Sequence, residues 1–123
     1  MDNYLLSELI METHRTLIAV AVKEDGSLWG GHFGMAPFYN IYSADGKFAE
    51  KRENPYGAKN KNHQHHDNPK LIVDYLNDCK VFISKKMGPD SKRKLVEKFG
   101  IIAFLTEADT AEKAVKQYLS RPQ

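Results

Sequence analysis

Thr16-Leu17-Ile18-Ala19-Val20-Ala21-Val22, TLIAVAV, is the stretch on which the fold turns. A strand exposed on one side alternates apolar and polar residues, whereas this apolar, β-branched run has no polar member after Thr16. It predicts a central strand buried on both faces. Such a strand needs a covering layer on each side, and the rest of the chain is read for those layers.

Downstream, residues 37–44 and 47–53 form two extended runs joined by Asp45-Gly46, a dipeptide that accepts the backbone angles of a tight hairpin turn. A polar loop from Asn54 to Asn68 follows. Pro69 suits the first turn of a helix, where its missing amide costs nothing, and Leu71, Ile72, Tyr75 and Leu76 give that helix an apolar face. Val81–Ser84 reads as a short buried strand. Pro89 then opens a helix carrying Leu95, Val96 and Phe99 that stops at Gly100. Ile101–Leu105 is a further apolar strand. Asp109 or Thr110 can cap a last helix, with Ala111, Ala114, Val115, Tyr118 and Leu119 on one face. The pattern predicts an α/β fold with a five-stranded mixed sheet, mostly parallel with one antiparallel strand, and helices on both faces.

Upstream, Leu5, Leu6, Leu9 and Ile10 fall at helical spacing, so residues 3–12 read as a short amphipathic helix within an amino-terminal extension, residues 1–15. Such a helix either packs on its own domain or serves as a dimer contact or a cover over a site. Residues 16–120 form one domain and 121–123 a tail.

Composition narrows the function classes. The chain has 123 residues, 41% apolar and 28% charged, and a net charge of +2, which describes a folded domain rather than a disordered one. The charge is nearly balanced, which makes nucleic acid an unfavoured partner. The single cysteine, Cys79, cannot form an intramolecular disulfide, and a reducing cytoplasm is the expected compartment. The opening carries Asp2, Glu8 and Glu12 and lacks the pattern of an export signal, and no stretch is apolar and long enough to span a bilayer, so no membrane role is expected.

The topology carries the functional signal. If residues 16–22 pair with the first hairpin strand and right-handed crossovers place the later strands parallel to residues 16–22, then the loops at 23–36, 54–68 and 85–89 emerge at one edge of the sheet. Ligands of open α/β sheets bind beyond the carboxyl ends of the parallel strands. Gly30-Gly31-His32-Phe33-Gly34 lies in the first of these loops, three histidines in the second and Met87-Gly88-Pro89 in the third.

The combination of the buried first strand, HFGMAPFYNIY, the DGK hairpin, RENPYG, a His-rich loop, MGP and the closing TAEKAVKQYL helix resembles the dinitrogenase iron-molybdenum cofactor biosynthesis family over residues 16–120. The resemblance implies a three-layer ribonuclease H-like fold. It also implies a non-enzymatic carrier, akin to the nitrogenase cofactor carriers, that holds an iron-sulfur or iron-molybdenum type cofactor or its precursor and passes it between donor and acceptor proteins. Carried onto this chain, the site comprises Gly31, His32, Phe33, Gly34, Lys85, Lys86, Met87 and Gly88. Family members commonly carry two glycines where this chain has Lys85-Lys86.

Residue chemistry fits a loosely held cargo. Iron-sulfur clusters are normally anchored by several thiolates, and this chain has one cysteine, placed where a helix meets a buried strand and best read as a small core residue. Imidazole is the available ligand: His32 first, with His63, His65 and His66 as auxiliaries. Lys85, Lys86, Lys92, Arg93 and Lys94 would attract an anionic cluster, and the amides at the Pro89 helix start add donors. Met35 and Met87 read as packing residues, and Trp29 as a shield for the cofactor or a lid on the core edge. Two other readings stay open: a divalent-metal binder using the His63–His66 loop, and a scaffold or interaction domain without cargo. A homodimer would pool ligands from two subunits. A nuclease is disfavoured, because Thr16–Val22 carries no carboxylate for a two-metal centre.

Overall fold

Strand β1, Leu17–Val22, is the central strand of the sheet, and all but its first residue are buried. The computed structural model describes residues 16–57 and 69–122. The helix read over residues 3–12 and the His63, His65 and His66 loop lie outside the described residues.

Around β1 the chain adds β2 (Phe38–Tyr42), β3 (Phe48–Glu53), helix α1 (Lys70–Tyr75), β4 (Cys79–Ser84), α2 (Pro89–Phe99), β5 (Ile102–Leu105) and α3 (Ala111–Ser120). The strand order is β3-β2-β1-β4-β5. Strands β1, β4 and β5 run parallel, while β2 is antiparallel to both β1 and β3. The sheet is therefore mixed with a single reversed strand, as the sequence predicts.

The period-two geometry of β1 explains its composition. Ile18, Val20 and Val22 point to a core closed by α3 through Ala111, Ala114, Val115 and Tyr118. Ala19 and Ala21 point to the other face, where Phe33, Tyr39, Phe82, Ile72 and Leu95 gather beneath α1 and α2. Sheet and helices thus make the three layers of an α/β fold.

Local chemistry sets the boundaries. Gly100 takes the left-handed conformation at φ +67 and ends α2, and the Thr110 hydroxyl accepts the Lys113 amide to cap α3. The hairpin differs from a two-residue turn: the Gly46 amide donates to the Ser43 carbonyl and the Ser43 amide to the Lys47 carbonyl. The loop is three residues, and its last, Gly46, takes a positive φ of +93, which glycine adopts without strain. Two residues assigned to apolar helix faces turn out exposed, Val96 at 46% and Leu119 at 42%, since each lies at the margin of its helix stripe. Strand β3 lies at the sheet edge and is exposed along nearly its whole length, which its charged residues permit. No helix among the described residues is long and apolar enough to cross a membrane.

Candidate functional site

At the carboxyl edge of β1 and β4, a cleft of about 60 Å³ opens between the loop after β1, the turn after β4 and the start of α1. Its rim carries His32, Met35, Met87, Gly88 and Ser91, and its floor is Phe33, Ile72 and Leu95. The space suits a few waters, so a bulkier guest would sit in the mouth rather than be enclosed.

Two loops are locked together to make it. His32 and Lys86 form a parallel bridge, and the Phe33 amide donates to the Lys86 carbonyl at 3.1 Å. The Lys86 turn is itself held by Ser84, whose hydroxyl donates to the Lys86 carbonyl and accepts the Lys86 amide at 3.1 Å. Ser84 is fully buried, so these bonds are shielded from competing water.

Phe33 anchors the histidine loop. It begins a 3-10 turn, Phe33–Met35, and stacks on Phe82 with ring centroids 4.5 Å apart. Tyr39 donates its hydroxyl to the Phe33 carbonyl at 2.8 Å. Asn54 completes the clamp: its side-chain amide donates to the Gly34 and Ala36 carbonyls at 3.0 and 2.8 Å and lies 3.1 Å from the Tyr39 hydroxyl. Burial pushes the Tyr39 phenol far above its ordinary range, so it stays a neutral donor.

The glycines have a different use from a left-handed turn. A Cβ on Gly31 would stand 2.9 Å from the Trp29 indole nitrogen, so glycine lets the indole fold back over the loop. That nitrogen donates to the His32 carbonyl at 3.1 Å. Trp29, half-buried against the core under α1 and α2, therefore braces His32 from behind.

Of the residues read from the sequence, His32, Phe33, Gly34, Met87 and Gly88 line the cleft, and Gly31, Lys85 and Lys86 do not. Lys86 acts through the backbone bond just described, and Gly31 through the room it leaves for the Trp29 indole. His32 is exposed and Met87 half-buried. Gly88 precedes α2 with no side-chain cap, leaving the first-turn amides of Asp90 and Ser91 without a side-chain acceptor from that position. Among the described residues no group of three His, Cys, Asp or Glu side chains is gathered to hold a metal ion.

Cys79 starts β4, roughly 17 Å along the strand from Ser84 at the site end. It is buried, and burial together with the neighbouring Asp78 carboxylate pushes its thiol up to about 12. A protonated thiol at the wrong end of the sheet is a core residue.

Asn54, Tyr39 and Ser84 are the site residues that periodicity does not reveal. Asn54 lies in RENPYG and precedes proline, a turn signal, but its partners are backbone carbonyls that no spacing rule marks.

The dinitrogenase iron-molybdenum cofactor family matches residues 14–121. The chain belongs to this family. Solved structures agree on the fold. The apo form of the orange protein from Desulfovibrio gigas superimposes with a TM-score of 0.65 at 20% identity, covering 87% of this chain and 89% of that one. A Thermotoga protein of the DUF35 family superimposes with a TM-score of 0.60 at 18% identity, over 85% of this chain and 87% of that one. No curated protein matches the chain.

Proposed function

We propose that the protein is a non-enzymatic carrier that transiently holds an iron-sulfur or iron-molybdenum type cofactor, or its precursor, at the cleft beside His32. The observation that carries this reading is the joining of the HFG and MGP segments at the carboxyl edge of the parallel strands, with one exposed imidazole on the rim.

The donor set suits cargo that must be released. His32 offers one nitrogen ligand, and Met35 and Met87 contribute soft, weakly donating thioethers to the lining. The amides at the start of α2 and the ammonium groups of Lys85, Lys86 and Lys92 favour an anionic guest. Cys79, buried far from the cleft, leaves the site without a thiolate from the described residues, so attachment rests on imidazole, amide donors and charge. A permanent redox centre needs firmer anchorage. Handing the cargo between donor and acceptor proteins needs less.

The test is anaerobic titration of the chain with an iron-sulfur cofactor while visible absorption and Trp29 fluorescence are followed together. Charge-transfer absorption that saturates, with a parallel change in Trp29 emission, and that weakens in His32→Ala supports the carrier. Wild-type protein that changes neither signal overturns it.

A further inference from the structure

The sheet has two edges, and they are built differently. At β3 the exposed residues include Glu50, Lys51 and Glu53, and charges of this kind keep an open strand from pairing with another chain. At β5 the sequence is Ile102-Ala103-Phe104-Leu105, with no charge and no proline, and its pairing with β4 has no bulge. Ile102 is 38% exposed and Leu105 42%.

The backbone of this edge is open to pairing. Thr106 donates its amide to the Ser84 carbonyl, so by alternation Ile102 and Phe104 also turn their backbone groups toward β4. Ala103 and Leu105 therefore turn their amides and carbonyls outward. Among the described residues no strand lies beyond β5 to receive them.

Helix α2 extends the same edge. It packs on β5, and its Leu95 joins Phe82 of β4 in the core beneath. Ser91 and Leu95 line the cleft. At about 100° per residue, Lys92 and Val96 then lie on the other flank of the helix, overlooking the free strand. The exposed side chain of Val96 thus belongs with Ile102 and Leu105 to one apolar border.

This border complements itself. Opposed residues of an antiparallel pair must share a face, which restricts a two-fold join to registers centred on a single residue. Centred on Ala103, the join sets Ile102 against Phe104 of the second copy on one face and Leu105 against Ile101 of the second copy on the other. Val96 of each copy comes to the axis above Ala103, whose small side chain leaves room for it. A strand spacing of about 4.8 Å puts the two α2 helices about 10 Å apart, an ordinary packing distance. The helices run antiparallel, so Lys92 and Arg93 of one copy stand opposite Glu97 of the other, and all three are exposed. Two paired strands alone are marginal in water, and the apolar contacts and charges of the helix pair add the rest.

We propose that β5 and the outer flank of α2 form a dimer interface, at which two copies of this chain join antiparallel about a two-fold axis at Ala103 into one continuous sheet. The charged β3 strands then form both ends of that sheet and stop growth at two copies. The cleft lies on the far flank of α2 and stays open in each subunit.

The test is sedimentation velocity of the full-length chain over a range of concentrations, where a reversible monomer–dimer equilibrium with nothing larger is expected. Val96→Glu, at an exposed helix position that does not threaten the fold, brings two carboxylates to the axis and weakens the dimer about tenfold or more. Glu97→Lys weakens it several-fold, and Lys92→Glu added to the same chain restores it. Opposed Cα atoms at the axis are about 5.5 Å apart, within disulfide range, so Ala103→Cys gives a covalent dimer under mild oxidation. Phe48→Cys, exposed on the other edge, does not. A chain that sediments as a monomer at every concentration overturns the proposal; this is also the result if the chain's own residues 1–15 cover the border. So does an oligomer that Val96→Glu leaves intact, or one that Phe48→Cys locks and Ala103→Cys does not. His32→Ala leaves the dimer unchanged, so this proposal and the carrier reading fail separately.

Discussion

The Phe33 amide donates to the Lys86 carbonyl across 3.1 Å, and this one bond ties the loop that leaves β1 to the turn that leaves β4. Each loop alone is a glycine-containing connection with little internal order to hold it. Joined, they share the buried support of Phe33 on Phe82 and of Ser84 under Lys86. His32 consequently stands on a braced backbone while its own ring is exposed, an arrangement suited to grasping and releasing a guest.

That arrangement makes Asn54 a positioning residue. Asn54→Ala removes the donor to the Gly34 and Ala36 carbonyls and leaves them without it, costing about 2–3 kcal/mol of stability. Asn54→Asp costs more, because a carboxylate aims an acceptor at two acceptors. Tyr39→Phe removes the donor to the Phe33 carbonyl and one of the acceptors of the Asn54 amide, which keeps the Gly34 and Ala36 carbonyls, and costs about 1–2 kcal/mol. Urea denaturation of the three variants checks the order. Equal losses in all three would show that the clamp does not form.

Cys79 gives a prediction about alkaline stability. Its thiol is raised from the usual value of 9.0 to about 12 by burial and by Asp78. Between those values the unfolded chain has lost the proton and the folded chain keeps it, so stability falls as pH rises, by at most about 1.4 kcal/mol per pH unit. Below 9.0 this contribution is fully present. The buried tyrosines Tyr39 and Tyr42 steepen the loss higher up, since their phenols are also raised. Cys79→Ala therefore removes the onset near 9 and keeps the later fall, which denaturant titrations across the alkaline range resolve. The same burial predicts slow reaction of the native thiol with disulfide reagents and unchanged cofactor titration in Cys79→Ala.

The acid side carries the opposite sign. Arg52 makes a bidentate pair with Asp78 at 3.0 and 2.7 Å and holds that carboxyl below its usual range. A depressed folded pKa adds stability above the unfolded value that is lost as pH falls through the folded one. The pair is partly exposed, so the effect is modest. Asp78→Asn should lower stability at neutral pH and flatten its fall in acid. An unchanged acid limb would show that the pair does not form in solution.

Much of this architecture was legible because burial leaves a periodic trace. The run at 17–22 could only be a strand covered on both faces, and Gly100, Pro89 and Thr110 mark helix ends by local chemistry. The meeting of the HFG and MGP segments followed from strand direction alone. Side-chain bonds to backbone leave no such trace, which hid Asn54 and Ser84. Val96 and Leu119 misled for a related reason: an apolar residue at a stripe's margin has the right spacing, but the neighbouring layer ends before it.

Gly31 shows how a residue outside the cleft governs it. Its missing Cβ lets the indole of Trp29 lie close enough to donate to the His32 carbonyl, and a methyl group there would stand 2.9 Å from the indole nitrogen. Backbone strain is not involved, for Gly31 has no left-handed φ; only the space is needed. Gly31→Ala thus forces the ring outward, breaks its bond to His32 and wets it. Trp29 emission should shift to the red while the denaturation midpoint falls only modestly, because a half-buried ring at the margin of one core moves and the five strands stay paired. If the carrier reading is right, the variant also binds the iron-sulfur cofactor more weakly although His32 itself is intact. An emission spectrum identical to that of the wild type would mean that the indole does not rest on residue 31, and that His32 is held without it, by the Phe33 to Lys86 bond and the turn that follows.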